Sequence, residues 1–270
     1  MTQTDRNFDD LAERFARRIY CGLKGRVRLQ VIDRELDAIV KRLVAQDLLD
    51  ETTANDNACK PLAIIDIGCG LAQHAIRLAG QGHEVYANAV STKLLQQARA
   101  KAEGLENLHW IEGNFQALQF KHASVDLLMC HALLEWLAKP ALVFSYAGKW
   151  LRAGGVLSLS FYNPAAKEYR NLIRGNFDWL ENQQDYRSDD GSLTPNNPCS
   201  YEQVVEWADR YGFTVLNCVG IRVFSDYVVE QRGGLSDEDQ TLKMELMYSQ
   251  REPFKWLGRY LHVSLIKTNG

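Results

Sequence analysis

The run Asp66-Ile67-Gly68-Cys69-Gly70 is where residue type and spacing first offer chemistry. It follows the apolar stretch LAIID and precedes a segment with helical periodicity. Glycines in such a turn let backbone approach a ligand closely, and the helix behind it presents unpaired N–H groups. A first strand-to-helix turn of this kind points to a nucleotide-like cofactor. Gln73 stands where a dinucleotide fingerprint would place its third glycine, which disfavours a pyrophosphate grip. Asp66 beside the glycines suits a ligand bearing an amino group. A plain tight turn is the alternative reading of the same residues.

Other chemistry-bearing patterns are missing from the sequence. There is no GxSxG, no HExxH and no P-loop. The six cysteines, at 21, 59, 69, 130, 199 and 218, form no CxxC pair, and no histidine completes a zinc-ligand spacing, so no metal is expected. Several of them lie in apolar runs and read as free buried thiols of a reducing cytosol. His74, His83, His109, His122 and His262 are scattered and read as structural or surface residues.

The elements that must position the glycine turn follow from periodicity. Apolar residues at helical spacing predict helices over 8–20 and from about Val27 to Leu48. The polar stretch ETTANDNACKP reads as a linker. Beyond it, the strands LAIID, HEVYANAV, LHWIEG, SVDLLMC and GGVLSLSFYN alternate with helices near 72–80, 92–103, 133–150 and 165–174. This alternation predicts a parallel sheet with helices on both faces. A long polar loop follows residue 180. Then come a helix at Tyr201–Tyr211, the strand FTVLNCVGIRVF, a helix near 236–249, and RYLHVSLIKT, whose alternation suggests an edge strand.

Length and charge bound the answer. The 270 residues, 46% of them hydrophobic, can bury a full core and exclude a disordered or fibrous chain. A net charge of -3 argues against a generally basic nucleic-acid coat but leaves room for local patches. Six basic residues run from Arg14 to Arg28 with no acid between them, and Arg251, Lys255, Arg259 and Lys267 lie near the end of the sequence. The polar start MTQTDRNFDD carries no signal-peptide pattern, and no apolar run reaches the roughly 20 residues of a membrane span. A soluble, cytoplasmic protein is expected. No feature fixes an oligomeric state.

The set DIGCG, HEVYANAV, EGNFQALQF, SVDLLMCHALLEW and LRAGGVLSLSFYN, in this order, resembles class I S-adenosyl-L-methionine (SAM) methyltransferases. The pieces NFDDLAERFARRIYCGLKGRVRLQ, CHALLEWLAKP, GIRVFSDYV and REPFKWLGRYLHV resemble one family among them, the tRNA 5-carboxymethoxyuridine methyltransferases. That resemblance implies a Rossmann-like α/β fold with a seven-stranded sheet, in one domain over 1–270. Residues 1–50 would form a helical cap, 60–165 the SAM-binding core, 166–200 a substrate-side insert, and 201–270 the elements completing the sheet. It also implies methylation of a carboxylate on the wobble uridine, hence a tRNA anticodon loop as partner, with SAM as cofactor. The family's cofactor contacts map to Arg28, Gly68, Cys69, Phe115, Gln116 and His131, with Asp66, Gly70 and Asn114 alongside.

One position departs from the pattern. SAM enzymes of this class usually end the second strand with an acid that binds both ribose hydroxyls, and here that position is Ala89. Loss of a charge-assisted hydrogen bond, about 1.5–3 kcal/mol, would weaken SAM roughly 10- to 150-fold. Asn88 is a poor substitute because neighbours on a strand face opposite ways. Ser91 or a water could compensate. An unusual cofactor or a non-catalytic SAM- or RNA-binding descendant are the other outcomes.

The chemistry implied needs no general base, since a carboxylate is already ionised near neutral pH. It needs groups that hold the carboxylate, and Arg222, Tyr162 and Arg259 are the candidates, arginine being suited to a bidentate grip. The basic runs suit phosphates, and Tyr20, Tyr162, Phe224, Tyr227 and Trp256 could stack an unpaired base. Esterification of a free small carboxylic acid is the rival reading.

Overall fold

A computed structural model describes residues 9, 22–50, 60–182, 195, 197–228 and 235–268. The helix expected over 8–20, with Arg14, Arg17, Arg18 and Tyr20, lies outside the described residues apart from Asp9, as do most of the linker and most of the loop after residue 182.

Helix α1 (Gly22–Asp50) is longer than its apolar stripe suggested. Val27, Val31, Ile32, Leu36, Ile39 and Leu43 share one helical face and are all buried, each contributing about 1.5–3 kcal/mol through that burial. Its polar face is anchored too. Buried Glu35 accepts hydrogen bonds from Arg34, from Asn217 Nδ2 and from Gln250 Nε2, tying the helix to the far end of the sheet.

The sheet runs β1 (Ala63–Ile67), β2 (Glu84–Ala89), β3 (Leu108–Glu112), β4 (Val125–His131), β5 (Leu151–Tyr162), β6 (Phe213–Ile221) and β7 (Tyr260–Lys267). Their spatial order is β3-β2-β1-β4-β5-β7-β6. The first five pair in parallel, and β7 is antiparallel to both β5 and β6. The crossover helices are α2 (Gln73–Gly80), α3 (Thr92–Arg99) and α4 (Leu142–Trp150), followed by α5 (Pro164–Ile173), α6 (Phe177–Glu181), α7 (Tyr201–Arg210) and α8 (Glu238–Tyr248). Two apolar cores flank the sheet, one beneath α1 and α2, the other beneath α4 and α7. Both faces of the parallel strands are covered, and so their sequences are near-continuous apolar runs.

Two expectations are corrected. The helix expected over 133–150 is a short 3-10 turn at Leu134–Trp136, then α4 from Leu142, with Pro140 breaking the run before it. Strand β7 is interior, with β6 at the edge. The alternation of Leu261, Val263 and Leu265 with His262 and Ser264 suggested a solvent face, yet His262 and Ser264 are buried. The His262 Nε2 meets Ser158 Oγ on β5 instead.

Candidate functional site

In a parallel sheet the ligand crevice lies at the carboxyl ends of the strands, and the strained backbone gathers there. Gly68 and Gly70 take left-handed φ angles, +68° and +58°. A Cβ at Gly68 would press within 2.9 Å of the Leu133 side chain, and the left-handed φ strains any other residue there. The turn is tied to β2 by Cys69 N–H donating to Asn88 O at 2.9 Å. Non-glycine residues also adopt left-handed φ in these turns: Ala72 before α2, Ala132 after β4 and Arg222 after β6. Such conformations cost free energy and persist where surrounding structure dictates them, commonly at functional sites.

Two buried carboxyls face this crevice. Asp66, 4% exposed at the end of β1, is pushed up to about 8 by burial. Glu135, 1% exposed in the turn after β4, makes no well-formed hydrogen bond through either oxygen among the described residues. Burial drives its pKa to about 7, opposed by the backbone N–H groups of Glu135 and Tyr162 and by the Arg28 guanidinium. Arg28, 9% exposed, reaches in from α1 and lies 4.4 Å from the centre of the Tyr260 ring. Two carboxyls and one guanidinium match a ligand with two cationic centres and one carboxylate, as the sulfonium, ammonium and carboxylate of SAM present. The turn and these charges therefore fit the cofactor. Sequence reasoning missed Glu135 because an acid within an apolar turn carries no pattern of its own.

His131 lies at the end of β4 beside these groups. Its Nε2 is 3.0 Å from Ser158 Oγ, which is 2.8 Å from His262 Nε2. Burial holds His131 well below the usual histidine range and His262 at about 4, so both rings are neutral. One hydroxyl carries one hydrogen, so Ser158 donates to one ring and accepts from the other. His74 packs edge-on against His131 and bonds Asp33 through Nδ1. His74 and His262, read as bystanders in the sequence, thus support His131.

The residues expected on the adenine side follow β3. Asn114 Oδ1 accepts from Gln116 N–H, and Gln116 O accepts from Tyr146 Oη–H. The Phe115 side chain is buried in the second core against Tyr146. Ala89 is buried at the end of β2. Asn88 Nδ2 is committed to the carbonyls of Ile111 and Gly113.

The three carboxylate-binding candidates converge. Arg259 lies over the Tyr162 ring, 4.8 Å from its centre, Arg222 is 5.6 Å from the centre of Tyr260, and the two tyrosine rings meet edge-to-face. Backbone holds them together: Arg259 N–H donates to Arg222 O, and Asn163 N–H to Arg259 O. Gly220 and Gly258 cross so closely that a Cβ on Gly258 would lie 2.7 Å from the Gly220 Cα, and one on Gly220 would run into the Lys255 carbonyl oxygen. Buried Glu245 accepts N–H bonds from Val223, Phe224 and Ser225, fixing the turn that carries Arg222.

Sequence reasoning missed further members of this cluster. Lys167 and Arg170, on α5, are lowered first by burial and next by Arg259. Asp226 pairs with Arg222 at 3.4 Å and with Lys24 at 3.7 Å. Arg170 Nε, Arg222 Nε, Arg259 Nη1 and the Tyr162 hydroxyl are buried without a hydrogen-bond partner among the described residues. An excess of cations over carboxylate, with unused donors, suits an anion.

Several cations of the basic runs, among the described residues, are paired within the molecule. Arg26 pairs with Glu238 and Asp239, Lys255 with Glu252, and Lys267 Nζ donates to the carbonyls of Gly148 and Leu151. Of the stacking candidates, Tyr162 is buried, Trp256 packs on Tyr201, and the Tyr227 hydroxyl donates to Leu257 O.

The strand order, the glycine turn after β1 and the charged crevice above it define a class I SAM-dependent methyltransferase. Residues 65–159 match the model of the methyltransferase domain family. Among solved structures, magnesium protoporphyrin IX methyltransferase from Synechocystis PCC 6803 shares the fold, with a TM-score of 0.60 at 15% identity over 97% of this chain and 96% of that one. A methyltransferase from Listeria monocytogenes gives 0.57 at 13% identity, covering 90% of this chain and 99% of that one. The tRNA 5-carboxymethoxyuridine methyltransferase of Escherichia coli (strain K12) is 34% identical over 267 residues, 97% of each chain. The chain belongs to the tRNA 5-carboxymethoxyuridine methyltransferase family.

Proposed function

We propose that this enzyme methylates the carboxylate of 5-carboxymethoxyuridine in the anticodon loop of tRNA, using SAM, in the cytoplasm. The observation that supports this reading best is the anion site of Arg222, Arg259 and Tyr162, joined through Tyr260 to Arg28 at the cofactor crevice.

Asp66, Glu135 and Arg28 hold the amino-acid part of the cofactor, Gly68, Cys69 and Gly70 supply close backbone, and Asn114, Phe115 and Gln116 border the adenine side. His131 walls the crevice between them. When bound, the cofactor supplies an electrophilic methyl group, which the substrate carboxylate oxygen takes as the carbon–sulfur bond breaks, with no proton lost. The residues of the chain therefore act by binding and alignment, which can supply about 7–11 kcal/mol. Arg222 and Arg259 grip the carboxylate, and Tyr162 donates its hydroxyl hydrogen to it. Burial around them excludes water that would otherwise solvate the nucleophile.

Helix α5 and the segment after it fit a polymer better than a free small acid. Lys167, Arg170 and Arg174 stand beside the anion site, and Leu172 and Phe177 are 52% and 59% exposed. Cations interleaved with exposed apolar and aromatic side chains suit an unpaired RNA loop. The test is incubation of purified protein with SAM and carboxymethoxyuridine-bearing tRNA, followed by nucleoside mass spectrometry. The methyl ester is expected. Unchanged nucleoside, or equal conversion of the free acid without RNA, overturns the assignment.

A further inference from the structure

The cations of α5 exceed what one carboxylate can neutralise. Lys167, Arg170 and Arg174 follow one another at helical spacing, which places them on one face. Like charges at that spacing destabilise a helix. Lys167 also lies in the first turn of α5, where the helix dipole disfavours a cation. None of the three makes an ion pair among the described residues. This face looks onto the carboxylate grip. Burial lowers Lys167 and Arg170, and Arg259 is the leading charge acting on both. Burial raises the Tyr162 hydroxyl, and Arg259, Arg170 and Arg222 act against it, so its oxygen lies in the field of all three. Arg170 Nε is buried without a hydrogen-bond partner among the described residues, and Lys167 Nζ rests 4.5 Å from the centre of the Trp179 ring. A bound substrate carboxylate and Asp226, which pairs with Arg222 at 3.4 Å, together match Arg222 and Arg259. Lys167 and Arg170 are left without a counter-ion.

We infer that Lys167 and Arg170 bind the 5′-phosphate of the target nucleotide, beside the carboxylate held by Arg222, Arg259 and Tyr162. In an anti pyrimidine nucleotide the 5-substituent and the 5′-phosphate lie on the same edge of the base, so adjoining anion subsites match the ligand. Arginine grips a phosphate through paired donors and lysine meets it as a point charge. Two anions held at once fix the rotation of the base about its glycosidic bond and so aim the carboxylate at the cofactor. The inference rests on the assignment of carboxymethoxyuridine tRNA as substrate.

The experiment compares methyl transfer to three tRNAs assembled by ligation, each with carboxymethoxyuridine at the wobble position. One has natural linkages, one a neutral methylphosphonate on the 5′ side of that nucleotide, and one the same group on the 3′ side. The 5′ replacement is expected to lower kcat/KM roughly 10- to 150-fold, the range of one charge-assisted hydrogen bond, and the 3′ replacement much less. Arg170→Ala and Lys167→Ala should each shrink the 5′ penalty. Arg26→Ala, whose arginine is held by Glu238 and Asp239, should leave it intact. Equal rates with the two methylphosphonates, or a 5′ penalty that Arg170→Ala and Lys167→Ala both keep in full, overturns the inference and leaves the substrate assignment standing. A tRNA with natural linkages that takes no methyl group overturns the substrate assignment itself.

Discussion

The guanidinium of Arg259 lies over the ring of Tyr162, 4.8 Å from its centre. The ring orients the arginine, and both groups keep a buried donor unused: Arg259 Nη1 and the Tyr162 hydroxyl. Arg259→Ala should therefore lower kcat/KM for the tRNA roughly 10- to 150-fold, the cost of one charge-assisted contact. The SAM Kd should stay constant, which calorimetry checks. Equal losses in SAM affinity would move Arg259 into the cofactor site.

Charge in a basic run and charge in the anion site should behave differently toward salt. Arg170→Ala should weaken tRNA binding and shallow the slope of log K against log salt by about 0.7, the value for one single-strand phosphate. Arg26→Ala should leave that slope unchanged, because Arg26 is held by Glu238 and Asp239. Filter binding at several salt concentrations separates the two.

Asp66 and Glu135 make a prediction about pH. Burial raises both, from 3.8 to about 8 and from 4.5 to about 7. A carboxyl raised in the folded state retains its proton where the unfolded chain releases one. Its stabilising effect is complete below about pH 4 and is lost as pH rises through about 7 to 8. Asp66→Asn and Glu135→Gln should hence raise Tm at pH 8 but not at pH 4. Both should weaken SAM. Below pH 7, SAM binding to the wild-type chain should release protons, measurable from calorimetric heats in buffers of different ionisation enthalpy.

Gly220→Ala should lower stability by about 3 kcal/mol or more, since the new methyl meets backbone, which cannot move aside as a flexible side chain does. Glu245→Ala should cost a similar amount by stranding the N–H groups of Val223, Phe224 and Ser225. Urea unfolding monitors both.

Much of the fold was readable because its signals are local. The strand LAIID, the turn DIGCG and the alternation through residue 165 each carry their own period or turn chemistry. What was misread depends on distant partners. Arg26 looked like phosphate-binding charge because its acids, Glu238 and Asp239, lie more than 200 positions away. Strand β7 looked like an edge because a buried polar side chain and an exposed one read alike until Ser158 is found beside His262. Lys167, Arg170 and Asp226 acquire meaning only when α5, β6 and β7 meet. Arg28 was found through family resemblance, since one arginine in a basic run is not distinguishable by spacing.

The hydroxyl of Ser158 sits between two neutral imidazoles and owns a single hydrogen. The two rings are consequently in opposite states, like the two ends of a seesaw. If a ligand presents a donor to His131 Nδ1, that nitrogen must be bare, His131 carries its proton on Nε2, and Ser158 turns its hydrogen toward His262. A ligand presenting an acceptor reverses all three. The polarity of one contact in the crevice is thereby written into a ring on β7, two strands away from β4, without any charge appearing or any backbone moving.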